Sequence, residues 1–294
     1  MKKVVLFVCL TAFLFGTMEV ALKIGGAELD SLQLTFLRFL IGAIMLLPFA
    51  IHERRGRGLP SAKDMAWIFL TGTMGLPVSM VCFQIGVENC NAATAASLIC
   101  MNPLFTMVIA HIFTSEKMNR RKTLAFFIGL AAMILMIRPW DIQDGNTIKG
   151  IVSMIVAAIT FAAYTVMGRQ SIERVGTFCQ TCLGFFMGCA VLLVEILVMR
   201  RPLLDGVSEN ILVVLYVGIF VTGLGYAFYF LAIRYSDAST GSIAFFIKPA
   251  IAPVLAVLIL GESVYWNTII GIAMLITASF ITLGKKEKEV AGIE

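Results

Sequence analysis

Charge is scarce in this chain: 14% of its 294 residues are Asp, Glu, Lys or Arg, against roughly 25% in an ordinary soluble domain. So little charge cannot clothe a water-exposed surface, and a soluble globule is excluded. Histidine is scarcer still. His52 stands in a basic loop and His111 near a predicted helix end, too little for a histidine metal centre or for the usual acid–base constellations. No glycine loop with a phosphate-binding lysine is present, so nothing points to direct use of ATP, and neither a cofactor nor a metal is expected. The seven cysteines lie almost wholly inside apolar runs, which excludes a disulfide framework. Cys179-x₂-Cys182 has redox spacing, but it sits in an apolar run without a second pair and reads as packing material. The residue types of an enzyme are missing.

What the chain has is hydrophobic length. Apolar residues make up 59% of it, and its mean hydropathy is +0.93. Spans are predicted near 4–24, 32–51, 65–87, 92–114 and 121–138, and again near 148–170, 176–199, 209–233, 239–260 and 264–283. A run of about 20 residues at 1.5 Å per residue crosses a hydrocarbon core of about 30 Å. The first run follows Lys2 and Lys3 as a secretory signal would, but it continues to about Ile24 without a convincing cleavage site. It is read as a span. The expected fold is therefore an all-α integral membrane protein of ten transmembrane helices.

The net charge of +5 does not form a basic stripe with interleaved aromatics, so nucleic acid is not an expected partner. The basic residues report topology instead. With the N-terminus in the cytoplasm, the inner segments, Arg57 and the tail lysines among them, hold sixteen Lys and Arg and the outer segments five. That bias predicts a multi-pass protein of the cell (inner) membrane with both termini cytoplasmic.

Shifted by 146 positions the chain falls on itself. Phe15 meets Phe161, Lys23 meets Arg169, Gly42 meets Gly188, Gly72 meets Gly218, Asn91 meets Asp237, Pro103 meets Pro249 and Glu116 meets Glu262. The halves are 1–145 and 146–294, the second ending in a short cytoplasmic tail. Five spans is an odd number, so the second half enters the membrane upside down, as an inverted repeat.

These residues resemble a known family. Phe15-Gly16 with Lys23 looks like the aromatic-Gly-x₆-Lys opening of the drug/metabolite transporter superfamily, EamA type. The segments from Asn91-Ala92-Ala93-Thr94 through Pro103 to Glu116, and from Asp237-Ala238-Ser239-Thr240 through Pro249 to Gly261-Glu262, look like its repeated signature. The resemblance implies ten spans and transport, commonly export, of amino acids or other metabolites. Glu19 stands where the family's pattern leads one to expect a small polar residue, so no role for it can be borrowed.

Charges inside spans are expensive unless paired or hydrated, and they mark candidate sites. Here they are Glu19, Lys23, Arg38 and Lys248. Glu19 and Lys23 are four apart on one helix and able to pair, and Arg38 enters the next span at a depth similar to that of Glu19. The bland reading is an ion cluster fastening two helices. Lys248 falls near the midplane, and its repeat mate is Asn102. Each precedes a proline, Pro103 or Pro249, that should kink its helix and loosen the carbonyl four residues back; the bland reading is a kink used only for packing, with Lys248 paired to a distant acid. Gln84, Tyr164, Tyr226 and Tyr229 are candidates for neutral hydrogen bonds and an aromatic wall, although tyrosines in spans are more often packing. The Gly184-x₃-Gly188 spacing predicts close helix approach.

The expected protein is a secondary carrier whose cavity lies between the halves and takes a small polar substrate. Three cations against one acid within the spans hint that this substrate is anionic. Lys248 would hold the anion, and Glu19 would pair with Arg38 or carry a proton. The lipid bilayer is its medium, and a proton or counter-solute its coupling partner. The alternatives are a flippase for an amphiphilic or lipid-linked substrate, which a side opening toward lipid would favour, and a membrane protein without transport. The residues name neither substrate nor oligomeric state.

Overall fold

Polar side chains placed just before apolar runs start most of the helices by capping their free N–H groups. Asp30 caps the second helix and forms a reciprocal capping box with Gln33, while Ser61, Asn91, Asn119, Thr147 and Asp237 cap later ones. The result, a computed structural model describing residues 2–25, 29–55, 58, 60–138, 145–261 and 265–283, is helical throughout, with no strand among the described residues. Arg57, Glu262 and the tail from Lys285 lie outside the described residues.

Among the described residues ten helical passes follow one another. α1 is Lys2–Gly16 with Met18–Gly25, α2 Ser31–Glu53, and α3 Ala62–Thr73 continuing to Glu88. α4 is Ala92–Ile99 with Asn102–Phe113, α5 Arg120–Ile137, α6 Ile148–Val175 and α7 Thr177–Val198. α8 runs from Ile211 to Arg234, α9 comprises Ala238–Ile247 and Ala252–Leu260, and α10 is Trp266–Leu283. Among the described residues seven of these are long and apolar enough to cross a membrane unaided; α5 opens on three basic residues, α9 is broken, and α10 is short. α6 runs five residues beyond the predicted span, because its last turns leave the apolar layer yet stay helical. There Arg169 pairs with Glu173 at 3.0 Å and Arg174 with Asp64 at 2.7 Å.

The packing obeys an inverted two-fold. α2 packs on α7 and α5 on α10, each with its own repeat mate; α1 on α8 mirrors α6 on α3, and α2 on α8 mirrors α7 on α3. Glycine carries the last correspondence. A Cβ added at Gly188 on α7 would lie 2.8 Å from the Gly72 carbonyl of α3, and one added at Gly42 on α2 would lie 3.4 Å from the Gly218 carbonyl of α8. Both contacts sit beside π-helical stretches, Met74–Met80 with Pro77 in α3 and Tyr216–Leu224 in α8. Such wide turns shift the register of a helix and gather at functional positions.

Large apolar side chains such as Leu212, Phe280 and Leu258 are exposed and form the lipid-facing surface. Within the apolar layer Glu19, Arg38 and Lys248 are folded inward.

Candidate functional site

The breaks in α1, α4 and α9 bring irregular backbone to the middle of the bundle. α1 is interrupted at Thr17, whose hydroxyl bonds the Leu14 carbonyl at 2.8 Å. α4 breaks between Ile99 and Asn102, just before Pro103, and α9 passes through a tight turn at Lys248–Ala250 around Pro249. Freed backbone at this depth is tolerated where protein buries it.

Beside these breaks lie Glu19 of α1, Arg38 of α2 and Lys248 of α9, all with zero exposure. Lys248 Nζ donates to Glu19 Oε1. It also stands 5.6 Å from the Phe83 ring and 5.8 Å from the Phe245 ring, so two aromatic faces attend the ammonium. Glu19 thus takes neither Lys23 nor Arg38 as its ion-pair partner. The i,i+4 expectation fails because Lys23 is part-exposed toward the end of α1, while a fully desolvated carboxylate needs a partner that is buried with it.

Arg38 interacts electrostatically with Glu19 and Tyr226. Its Nη1 meets Met18 Sδ at 3.5 Å, and its guanidinium lies 4.6 Å over the Phe39 ring. Among the described residues its Nε and Nη2 have no hydrogen-bond partner; nor do Glu19 Oε2 and both amide atoms of Gln84. Gln84 is buried on the Val81–Glu88 segment of α3, which packs on α1 and α2. Most buried polar groups in proteins are paired, so orphans concentrated on these three side chains set this region apart.

Toward the face that holds the N-terminus an aromatic cluster closes the region. Tyr226 of α8 is its hub, with ring centroids 5.2 Å from Phe15, 5.4 Å from Phe39, 5.9 Å from Phe161 and 5.2 Å from Phe185. Its hydroxyl reaches Met80 Sδ at 3.2 Å. Tyr229 bonds Thr165 at 2.7 Å, and Tyr164 packs on Phe230 at 5.3 Å. Phe15 and Phe245 lie about one helical turn nearer that face than Glu19 and Lys248 on the same helices. The predicted residues are therefore split: Glu19, Arg38 and Lys248 are brought together, and the three tyrosines form the wall below them. Asn102 is occupied elsewhere. Its Nδ2 donates to the Ala158 carbonyl at 3.4 Å and its Oδ1 accepts from Thr106 at 3.3 Å, which ties α4 to α6.

Sequence reasoning missed the inter-half clamps on the N-terminal face. α7 follows Gly176, which has φ +97° and no side chain with which to cap. Glu53 at the end of α2 does so across the interface, accepting from the amides of Thr177, Phe178 and Cys179 at 2.9, 2.7 and 3.0 Å and pairing with Arg234 at 2.8 Å. Glu116, after α4, accepts from the Ala238 amide at 2.9 Å and the Ser239 hydroxyl at 2.8 Å at the start of α9. Lys122 joins it to Asp237, at 3.8 and 3.4 Å. Asp237 lies outside the spans. Burial works to raise its carboxyl pKa, but Lys122 and the Thr240 amide outweigh burial and hold it below the usual 3.8. Glu116 was visible as a repeat landmark; Glu53 gave no signal, because a capping partner 124 residues away leaves no local pattern.

The chain matches the EamA-like transporter family twice, over residues 2–138 and 148–284. An uncharacterized transporter of Clostridium kluyveri is 36% identical, covering 98% of this chain and 95% of its own. The uncharacterized transporter YoaV of Bacillus subtilis is 24% identical over 96% and 97% of the two chains. One solved crystal structure shares the fold with a TM-score of 0.73 at 17% identity, over 96% of each chain.

Proposed function

The chain belongs to the EamA-like transporter family and is a membrane transporter, and on that premise we propose that it is a secondary carrier exporting small polar metabolites by alternating access. The carrying observation is the buried group Glu19, Arg38 and Lys248. Three charges fully withdrawn from solvent, with unpaired polar atoms among them, are costly to a purely structural core and suit a site that a polar solute enters. The units that move against each other are the halves 1–145 and 146–294.

The closure of the group supports alternating access. On the N-terminal face the aromatic cluster and the Glu53 and Glu116 clamps join the halves. On the opposite face Asp30 pairs with Arg201 at 3.2 Å, Gln33 donates to the Asp205 carbonyl at 2.8 Å, and the Thr147 amide donates to the Asn89 carbonyl at 3.0 Å. Hydrogen bonds and ion pairs at helix ends can be exchanged without unfolding a helix, so each face is suited to open while the other holds. The excess of basic residues on the N-terminal face makes it the cytoplasmic one in the cell membrane. Energy comes from a proton or counter-solute gradient, with Glu19 as the proton carrier.

One observation favours the flippase reading: a lateral groove of about 340 Å³ between α1, α8 and α9, lined by Val20, Ala21 and Ile24 of α1, Val213 and Tyr216 of α8 and Leu255 of α9. The polar groups at its wall satisfy each other, with the Thr17 and Tyr216 hydroxyls 2.7 Å apart. At about 100° per residue Val20, Ala21 and Ile24 share one face of α1 and Glu19 points away from it, so the helix itself stands between the groove and the ion group. That favours the carrier. A counterflow screen of small metabolites in proteoliposomes, with and without an imposed proton gradient, tests the reading: saturable exchange of a water-soluble solute supports it, and lipid scrambling without solute exchange overturns it.

A further inference from the structure

We propose that Arg38 is the specificity residue of the site and that its free edge receives the carboxylate of a mono-anionic substrate. This deepens the carrier reading and rests on it. Among the three buried charges Lys248 and Glu19 are committed to each other, so their charges cancel. Arg38 remains. Its guanidinium stays charged in proteins, its side chain has zero exposure, and its direct contacts are a thioether and a ring face, neither of which carries a negative charge; Glu19, which acts on it electrostatically, is the acid already paired with Lys248.

The two unpartnered nitrogens decide what kind of anion fits. Nε and Nη2 lie along one edge of the planar guanidinium, and their N–H bonds run parallel, the geometry that meets both oxygens of a carboxylate at once. Nη1 is turned to Met18 Sδ and the guanidinium carbon stands 4.6 Å over the Phe39 ring, contacts that leave that edge available. Charge balance narrows the class further. One monoanion brings the group Glu19, Arg38 and Lys248 to neutrality. A phosphate ester dianion would overshoot, and a zwitterion would bring its own cation and leave the excess positive charge in place. Low-dielectric surroundings make each such mismatch expensive. Glu19 Oε2, still unpaired, is an acceptor for a neutral donor on the same substrate, such as a hydroxyl.

The test uses the full chain in lipid nanodiscs and in proteoliposomes. The probes are lactate, glycolate, 3-hydroxybutyrate and benzoate, the primary amide of each, glycerol 3-phosphate, and alanine and serine. The proposal expects one or more of the acids to raise the unfolding temperature and to be taken up, while its amide does neither. Arg38→Gln and Arg38→Lys should both weaken binding of that acid at least tenfold, since lysine restores the charge but not the two-pronged edge. Both variants are checked for monodispersity, and Arg38→Lys covers the case in which the neutral variant fails to fold. Equal binding of an acid and its amide, binding of the acid by both variants as by the parent, or the absence of binding by every acid overturns the proposal. If alanine or serine is transported and no acid is, the mono-anion assignment falls; if an amide is transported and no acid is, the carboxylate assignment falls; in both cases the carrier stands. If no solute of any class crosses, the carrier reading itself has failed.

Discussion

Lys248 and Glu19, 229 positions apart in the chain, form an ion pair with both side chains at zero exposure. The pair fastens the first helix of one half to the fourth helix of the other, at the level where both helices are interrupted. Removing one partner leaves the other charged and buried. Glu19→Gln and Lys248→Met should each destabilise the protein by about 3–5 kcal/mol, and the double variant should cost less than the two singles together. Unfolding in a detergent series measures this. Additive single effects would show that the two groups do not act on each other.

Helix contact through glycine gives a contrast within one helix. A Cβ at Gly184 meets nothing nearer than 3.9 Å, whereas one at Gly188 lies 2.8 Å from the Gly72 carbonyl. Gly184→Ala should be tolerated, and Gly188→Ala should cost about 1–3 kcal/mol by forcing α7 off α3. Equal thermal stability of the two variants would contradict the packing.

Much of this architecture is legible in the sequence. Apolar length and the shift of 146 lead to ten helices in inverted halves, and the buried charges Glu19, Arg38 and Lys248 stand out as exceptions in apolar runs. The partner choice is not legible. Helical spacing offers Lys23 to Glu19, but pairing is decided by which cation is buried alongside, and that depends on how α9 crosses α1. Asn102 reads as a site residue by its symmetry with Lys248, yet repeat symmetry fixes depth and not the direction in which a side chain turns. The role of Glu53 is set entirely by tertiary contact.

The clamp at the start of α9 is acid-sensitive. A carboxyl held below its unfolded pKa contributes stability above that value and loses it as pH falls through the folded one; for Asp237 the unfolded value is 3.8. Hydrogen exchange over Ala238–Ile247, corrected for intrinsic rates, should therefore accelerate as the pH is lowered from about 6 to about 3. Asp237→Asn should already be less protected at neutral pH and should change less with acid. Constant protection in the parent across that range would refute the role of Asp237.

Topology offers a further check. With the N-terminal face in the cytoplasm, Arg120→Cys in a cysteine-free background should resist an impermeant thiol reagent in intact cells and react after permeabilisation. Labelling from outside would invert the orientation.

Substrate binding and uptake by Lys248→Ala decide whether the buried group is the transport site. In purified, monodisperse protein the substitution should weaken substrate binding at least tenfold, ~1.4 kcal/mol, and abolish counterflow in proteoliposomes, while Lys248→Arg restores binding in part. Normal binding and normal counterflow by Lys248→Ala would contradict the account.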